Sequence, residues 1–308
     1  MSKNKIALGL LSLASVSGAA NAANIYKTDD STLDIGGRIE ARAEHRDDNI
    51  SDLSRVRLKI EGETKITDSV SGIAQFEQEF KDNSQKTRHL YAGIKSVIGN
   101  GTATLVYGKT DGSMSLVTDI TDIQAAYGAI AADKYKVGKR IANSLAFGYM
   151  NENGTSFAAN YAGAEGKDIG DFDNGFSIGA SQSFGDTGLI AGIGYAKQEK
   201  VDKKEKSQLD YAIGYQYKKL YIGALYSARR VGDKDGDGYD VVTAYKINST
   251  YKATVGFGEL HFDKGDDSRA VNADITAKWN SHFRTYAAVN RDLVNKDTQG
   301  MLGARYDF

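Results

Sequence analysis

The side chains of this sequence alternate. Leu33, Ile35, Gly37, Ile39, Ala41 and Ala43 fall on one side of an extended chain, with Asp34, Gly36, Arg38, Glu40, Arg42 and Glu44 on the other. A period of two marks a β-strand with one apolar and one wet face. Val56, Leu58 and Ile60 interleave with Arg55, Arg57, Lys59 and Glu61 in the same way. So do Leu209, Tyr211, Ile213, Tyr215 and Tyr217 with their neighbours, and the last ten residues repeat the pattern up to Tyr306 and Phe308. About sixteen such segments are predicted.

Two strands alone would also suit a soluble sandwich with the charged face outside. Length separates the cases: a tilted membrane strand needs about 9–11 residues, whereas soluble strands cluster near 5–6. The segments here are long. Their connections alternate between tight turns (Thr67 to Ser69, Glu152 to Gly154, Lys218 with Lys219, Asn280 with Ser281) and longer charged loops. The loops predicted are Asp47 to Leu53, Asp82 to Thr87, Ala164 to Asn174, Glu199 to Lys206, Arg230 to Gly238, Phe262 to Ser268 and Arg291 to Thr298. Short turns on one rim and long loops on the other fit an all-β, closed transmembrane antiparallel β-barrel with a water-filled lumen. One connection stands apart, the stretch from Thr110 to Lys139, which is acidic and then small: Asp111, Asp119, Asp122, Ala125, Ala126, Tyr127, Gly128 and Ala129. A loop of that length is usually functional.

Composition sharpens the picture. A mean hydropathy of −0.44 is compatible with a membrane barrel, because only alternate residues meet lipid. The absence of Pro suits a chain made almost wholly of hydrogen-bonded ladder. The absence of Cys excludes disulfides, thiolate catalysis and Cys-ligated metal. Near-balance of 39 basic and 40 acidic residues argues against nucleic acid as a partner. Lys3 and Lys5, the apolar run from Ile6 to Val16 and the Ala20-Asn21-Ala22 site read as a secretory leader. Residues 1–22 are therefore expected to be removed, leaving 23–308 as one barrel. Among 18 Tyr and 11 Phe, many sit at strand ends, where amphipathic rings suit the headgroup level.

Three motifs offer other chemistry. Asp233, Asp235 and Asp237 with Gly238 resemble the opening of a calcium loop, but Ala244 stands where a bidentate Glu is required; they are at most a weak metal site. Gly175-Phe176-Ser177-Ile178-Gly179 spells a nucleophile elbow, yet lies inside an alternating strand. His45, His89, His261 and His282 show neither metal spacing nor an evident carboxylate partner. No catalytic residue, cofactor or resident metal is expected.

Ile25-Tyr26, Leu33-Asp34-Ile35-Gly36, Arg57-Leu58 running to Glu61-Gly62-Glu63-Thr64, and Thr87-Arg88 before Tyr91-Ala92-Gly93-Ile94-Lys95 resemble the Gram-negative general diffusion porins. Tyr107-Gly108-Lys109, Arg140 with Asn143-Ser144, and the terminal aromatic extend the resemblance. It implies a passive channel in the bacterial outer membrane, with the third loop folded inward to narrow it. It further implies a basic side at Arg38, Arg57, Arg88 and Arg140 facing acidic Asp119, Asp122 and, more loosely, Asp111. Partners so implied are a homotrimer, outer-membrane lipid and lipopolysaccharide, and the barrel-assembly machinery through Tyr306 and Phe308. Arg88 is out of step, because apolar Leu90 shares its phase. Two other readings stay open at this stage, an outer-membrane barrel enzyme of protease or lipase type and a secreted soluble β-protein.

Overall fold

The computed structural model describes residues 22–163, 172–200, 205–265 and 267–308. The expected leader, apart from Ala22, lies outside them, as do 164–171, 201–204 and 266 from three of the expected loops.

The first segments are β1 (Ala23–Lys27), β2 (Ser31–Arg46), β3 (Asn49–Asp52), β4 (Arg55–Lys65), β5 (Val70–Lys81) and β6 (Ser84–Ile98). Next come β7 (Gly101–Thr110), β8 (Ile141–Asn151), β9 (Thr155–Gly163), β10 (Phe172–Ser183), β11 (Leu189–Lys200) and β12 (Glu205–Tyr217). The chain ends with β13 (Leu220–Val231), β14 (Lys234–Lys246), β15 (Tyr251–Phe262), β16 (Ser268–Lys278), β17 (Phe283–Asp292) and β18 (Thr298–Asp307). Every neighbouring pair is antiparallel, and β18 pairs with β2, so the sheet closes on itself. β1 continues the line of β18 along one edge of β2, and β3 that of β4 along the other, which makes sixteen staves from eighteen segments. Phe308 completes the seam through reciprocal backbone hydrogen bonds with Gly37, at 2.8 and 3.0 Å. Closure pairs the long strands on both sides among the described residues, as a bilayer requires of a spanning sheet.

Exposure is inverted relative to a soluble fold. Leu302, Ile39 and Ile213 are 66%, 52% and 50% exposed, whereas Gln208 and Asp210 are fully buried. The apolar phase therefore faces outward, where hydrocarbon covers it. Tyr107, Tyr161, Phe176, Tyr226 and Tyr239 are exposed towards the ends with longer connections, and Tyr217, Tyr251, Trp279 and Tyr306 towards those with short turns. Two stacked sheets with a greasy interior, the arrangement of a soluble sandwich, are not what these strands build.

Several connections are tighter than the sequence suggests. Asn49–Asp52 is a strand, leaving a hairpin at Asp47 and Asp48, both with positive φ; Ser84 and Lys234 already belong to β6 and β14. Charged residues there extend the staves beyond the membrane, where alternation no longer has an apolar phase to reveal it. This corrects the reading of Asp233, Asp235 and Asp237 as an open loop. Asp233 sits at a hairpin turn, Asp235 and Asp237 sit on β14, and no group of three metal-competent side chains occurs among the described residues. Ser177 of the elbow-like motif lies within β10. No helix among the described residues is long and apolar enough to cross a membrane.

Candidate pore constriction

The polar phase of β2, β4, β5 and β6 forms one continuous charged wall. Arg55 Nε donates to Glu40 Oε2 at 2.6 Å, and Arg57 Nε to Glu79 Oε2 at 2.6 Å. Arg88 Nε donates to Glu77 Oε1 at 2.5 Å, and Arg38 lies 3.7 Å from Glu40. Arg140, just ahead of β8, places its guanidinium 2.6 Å from Asp111. Five guanidinium groups thus stand among four carboxylates, Glu40, Glu77, Glu79 and Asp111, so this side keeps a small positive excess. The arginine side chains are 15–21% exposed, which leaves them in reach of water.

Arg88 resolves its own phase conflict. The β5–β6 register shifts between Glu77, opposite His89, and Gln78, opposite Thr87, so Arg88 is the extra residue of a β-bulge. A bulge re-aims a side chain locally; Arg88 and His89 both reach Glu77, while Leu90 stays 57% exposed on the outer face. A one-residue insertion carries no sequence mark beyond the broken alternation itself.

The long loop lies along the other arc of the barrel. Ser113 N–H donates to Asn160 Oδ1 on β9 at 2.9 Å, and a single helical turn, α1 (Ser115–Thr118), follows. Further on, the Tyr221 hydroxyl on β13 donates to the Ile120 carbonyl at 2.7 Å, and Ala125 N–H donates to Asp274 on β16 at 3.2 Å. The chain then returns by way of Asp240 on β14, which accepts from Ala132 N–H at 2.7 Å, and Gln208 on β12, which accepts from Tyr135 N–H at 3.1 Å. Met114, Val117, Ile120 and Val137 bury completely beneath it, against Ile190, Ala196, Ala212 and Leu225 of the wall. Full burial of each such large side chain contributes about 1.5–3 kcal/mol. Glycines make the room: a Cβ on Gly179 or Gly223 would sit 2.4 or 2.6 Å from the carbonyl oxygens of Ser113 and Ile120.

Asp240 accepts backbone N–H groups from both Ala131 and Ala132. Asp240→Ala orphans these donors, each at a cost of about 1–3 kcal/mol when buried. We expect that variant to show earlier thermal unfolding in detergent and noisier single-channel current.

The acidic candidates occupy different settings. Asp111 sits on the basic side, bonded to Arg140 and to His89 Nε2 at 3.1 Å. Burial works to raise its carboxyl, but the His89 hydrogen bond and the Arg140 guanidinium outweigh it and hold Asp111 below the usual carboxylate range. Asp119 caps the C-terminal end of α1, 3.8 Å from Lys134 of the returning arm. Burial, reinforced by Asp122 and opposed by Lys134, pushes Asp119 up to about 6. Asp122 is exposed. The sequence reading missed Arg55, Glu40, Glu77, Glu79 and Lys134, although the first four share the polar phase that carried Arg38 and Arg57. It also missed His partners: His89 lies between Glu77 and Asp111, and His261 bonds Asp267 at 2.5 Å. Glu77 and Asp111 come from another strand and the loop, beyond the reach of local spacing, whereas Asp267 stands only six residues from His261.

Folding favours the protonated form of Asp119. Its folded value lies above its ordinary one, so the folded protein binds this proton more tightly than the unfolded chain, and acidification through about pH 6 relieves the penalty of the buried charge. The loop loses one negative charge in the same window. Reversal potentials measured from pH 7 to pH 5 should move towards anions, and the difference between parent and Asp119→Asn should vanish at the acid end.

A closed barrel with an apolar exterior, a charged wall and a loop laid along the opposite arc defines a transmembrane diffusion channel. A family model described as Gram-negative porin matches residues 9–299, and the chain belongs to that family. It is 34% identical to the Porin-like protein L of Photobacterium profundum over the full length of both chains. With the Outer membrane protein U of Vibrio parahaemolyticus it shares 33% identity, over 98% of this chain and 94% of that protein. Among solved structures, Salmonella typhi OmpF in complex with daunomycin superposes with a TM-score of 0.80 at 17% identity, over 93% of this chain and all of that one. The trimer form of Vibrio cholerae OmpT gives a TM-score of 0.73 at 17% identity, over 91% of this chain and all of that one. The protein is an outer-membrane porin for passive diffusion of small hydrophilic solutes, and not an enzyme.

Proposed function

We propose that the passage is narrowed between the basic side formed by Arg38, Arg57, Arg88 and Arg140 and the loop surface bearing Asp119 and Asp122, with Asp111 tying the loop's root to the basic side. The observation that carries this reading is topological: the loop is anchored on staves β9 to β16, the arc opposite β2, β4 and β6. Opposite charges about 10 Å apart interact by roughly 0.4 kcal/mol in bulk water and about 1–2 kcal/mol at an effective dielectric of 20. A field of that order orients dipolar solutes without holding them, as rings of charge do in selective pores. Planar bilayers test it: purified protein should give stepwise ion currents whose selectivity moves in opposite directions when Asp122 or Arg57 is neutralised. Steps with selectivity indifferent to both would reject the constriction.

The same reading takes the mature chain to begin at Ala23. It also places the barrel in a homotrimer, as in the OmpT trimer form, in contact with outer-membrane lipid and lipopolysaccharide. Tyr306 and Phe308, at the seam strand, would be read by the barrel-assembly machinery.

A further inference from the structure

The tip of the long loop does not follow the wall; it crosses a gap. On the outward arm, Gln124 Nε2 donates to Asn272 Oδ1 and Ala125 N–H to Asp274 Oδ2, each at 3.2 Å, and both acceptors sit on β16. On the return arm, Ala131 and Ala132 are held by Asp240 on β14. Between these anchors the Tyr127 hydroxyl donates to Glu44 Oε1 on β2 at 3.0 Å. β16 and β2 are not neighbours, since β17 and β18 stand between them. Three strand spacings amount to about 14 Å of wall. The backbone reverses immediately after Tyr127, at Gly128 with φ +143° and Ala129 with φ +56°. Tyr127 therefore stands at the apex of the loop, and the long phenol reaches what the backbone does not.

We infer that the Tyr127–Glu44 hydrogen bond is a strut that pins the loop tip across the lumen and so fixes the cross-section open to solutes. Tyr127 is a positioning residue in this scheme, and Glu44 its anchor. Ala288 on β17 and Met301 on β18 lie in register between Asp274 and Glu44, so the strut passes over that stretch of wall and divides it from the main passage. Glu44 belongs to the same inward row as Arg38, Glu40 and Arg42, and Tyr286 donates to Glu40 at 2.9 Å, so the anchor is set in a braced segment of wall. Burial, the bond to Glu44 and the Glu44 charge all hold the Tyr127 hydroxyl above its ordinary range, so it remains a donor even in alkaline buffer. The loop accepts a left-handed backbone at a residue with a side chain, Ala129, to make the reversal, a conformation that a Cβ disfavours.

The inference rests on the loop narrowing the passage, and the two are separable by experiment. In planar bilayers, full-length Tyr127→Phe should show higher unit conductance and new flicker, and its liposomes should swell faster in larger sugars. Glu44→Ala should match it, and the double variant should add nothing to either. Glu44→Gln retains Oε1 as an acceptor and should keep the parental conductance and size cut-off while shifting selectivity by the lost charge, an outcome that a general loosening of the barrel would not produce. Tyr127→Phe with parental conductance, noise and size cut-off overturns the strut while leaving the constriction standing, as does a double variant whose effects sum. Failure of charge neutralisation at Arg57 and Asp122 to move selectivity would instead strike the constriction itself.

Discussion

Replacing Arg55, Arg57 and Arg88 together by Gln is expected to swing the channel strongly towards cations. These guanidinium groups neutralise Glu40, Glu79 and Glu77 at 2.5–2.6 Å, and Gln removes the charge while keeping a polar N–H donor at the position of Nε. A permeating ion about 7 Å from one unit charge feels roughly 0.6 kcal/mol in bulk water. Three such terms approach 2 kcal/mol, more than a tenfold change in ion partition at low salt. At about 0.15 M salt a Debye length near 8 Å reduces this to a severalfold effect. Reversal potentials across a KCl gradient, at low and high salt, measure both the shift and its screening. An unchanged reversal potential would mean that this wall does not border the conducting path. The substitution also removes the shortest charged contact of each of three carboxylates, so some loss of barrel stability accompanies the change in selectivity.

The second large effect concerns the outer surface. Ile213 lies midway along β12 between Tyr211 and Tyr215, and all three are exposed. Arg at a bilayer-midplane position on a barrel's lipid face costs about 2–4 kcal/mol. Ile213→Arg should lower the unfolding free energy in lipid vesicles by that order, read from urea titrations. The same residue placed at Asn290, on the inward phase of β17, should cost far less because water solvates it there. Equal costs at the two positions would deny the bilayer its place around the barrel.

Much of this architecture was legible in alternation alone. Strands such as Leu33 to Glu44 and Ser207 to Tyr217 declare both faces, and closure follows from their length and number. The seam did not show: β1 is short and lies beyond a turn at Asp29 and Asp30, and only the coordinates reveal that it continues the line of β18. Strand ends beyond the membrane were also hidden, since Asn49–Asp52 and Lys234–Gly238 carry polar residues on both phases. At the site, arginines in phase with the wall were readable, whereas Arg88 required a bulge. The partners of His89 required a fold, because Glu77 and Asp111 come from β5 and the loop. Least visible of all was the loop's course. Gly179, Gly194 and Gly223 look like weak points in their strands, and only the packed loop shows them to be the floor on which it rests.

The absence of Cys from the sequence permits the most direct measurement of the central claim. Single cysteines can be introduced in turn at Arg38, Arg42, Lys59 and Glu61, and at their neighbours Ile39, Ala41, Leu58 and Ile60, and each variant can be exposed in a planar bilayer to a charged, membrane-impermeant thiol reagent. The first set should show stepwise reduction of current and the second set none, with a period of two along each strand. Block at both sets, or at neither, would contradict a barrel whose alternate side chains line a water-filled passage.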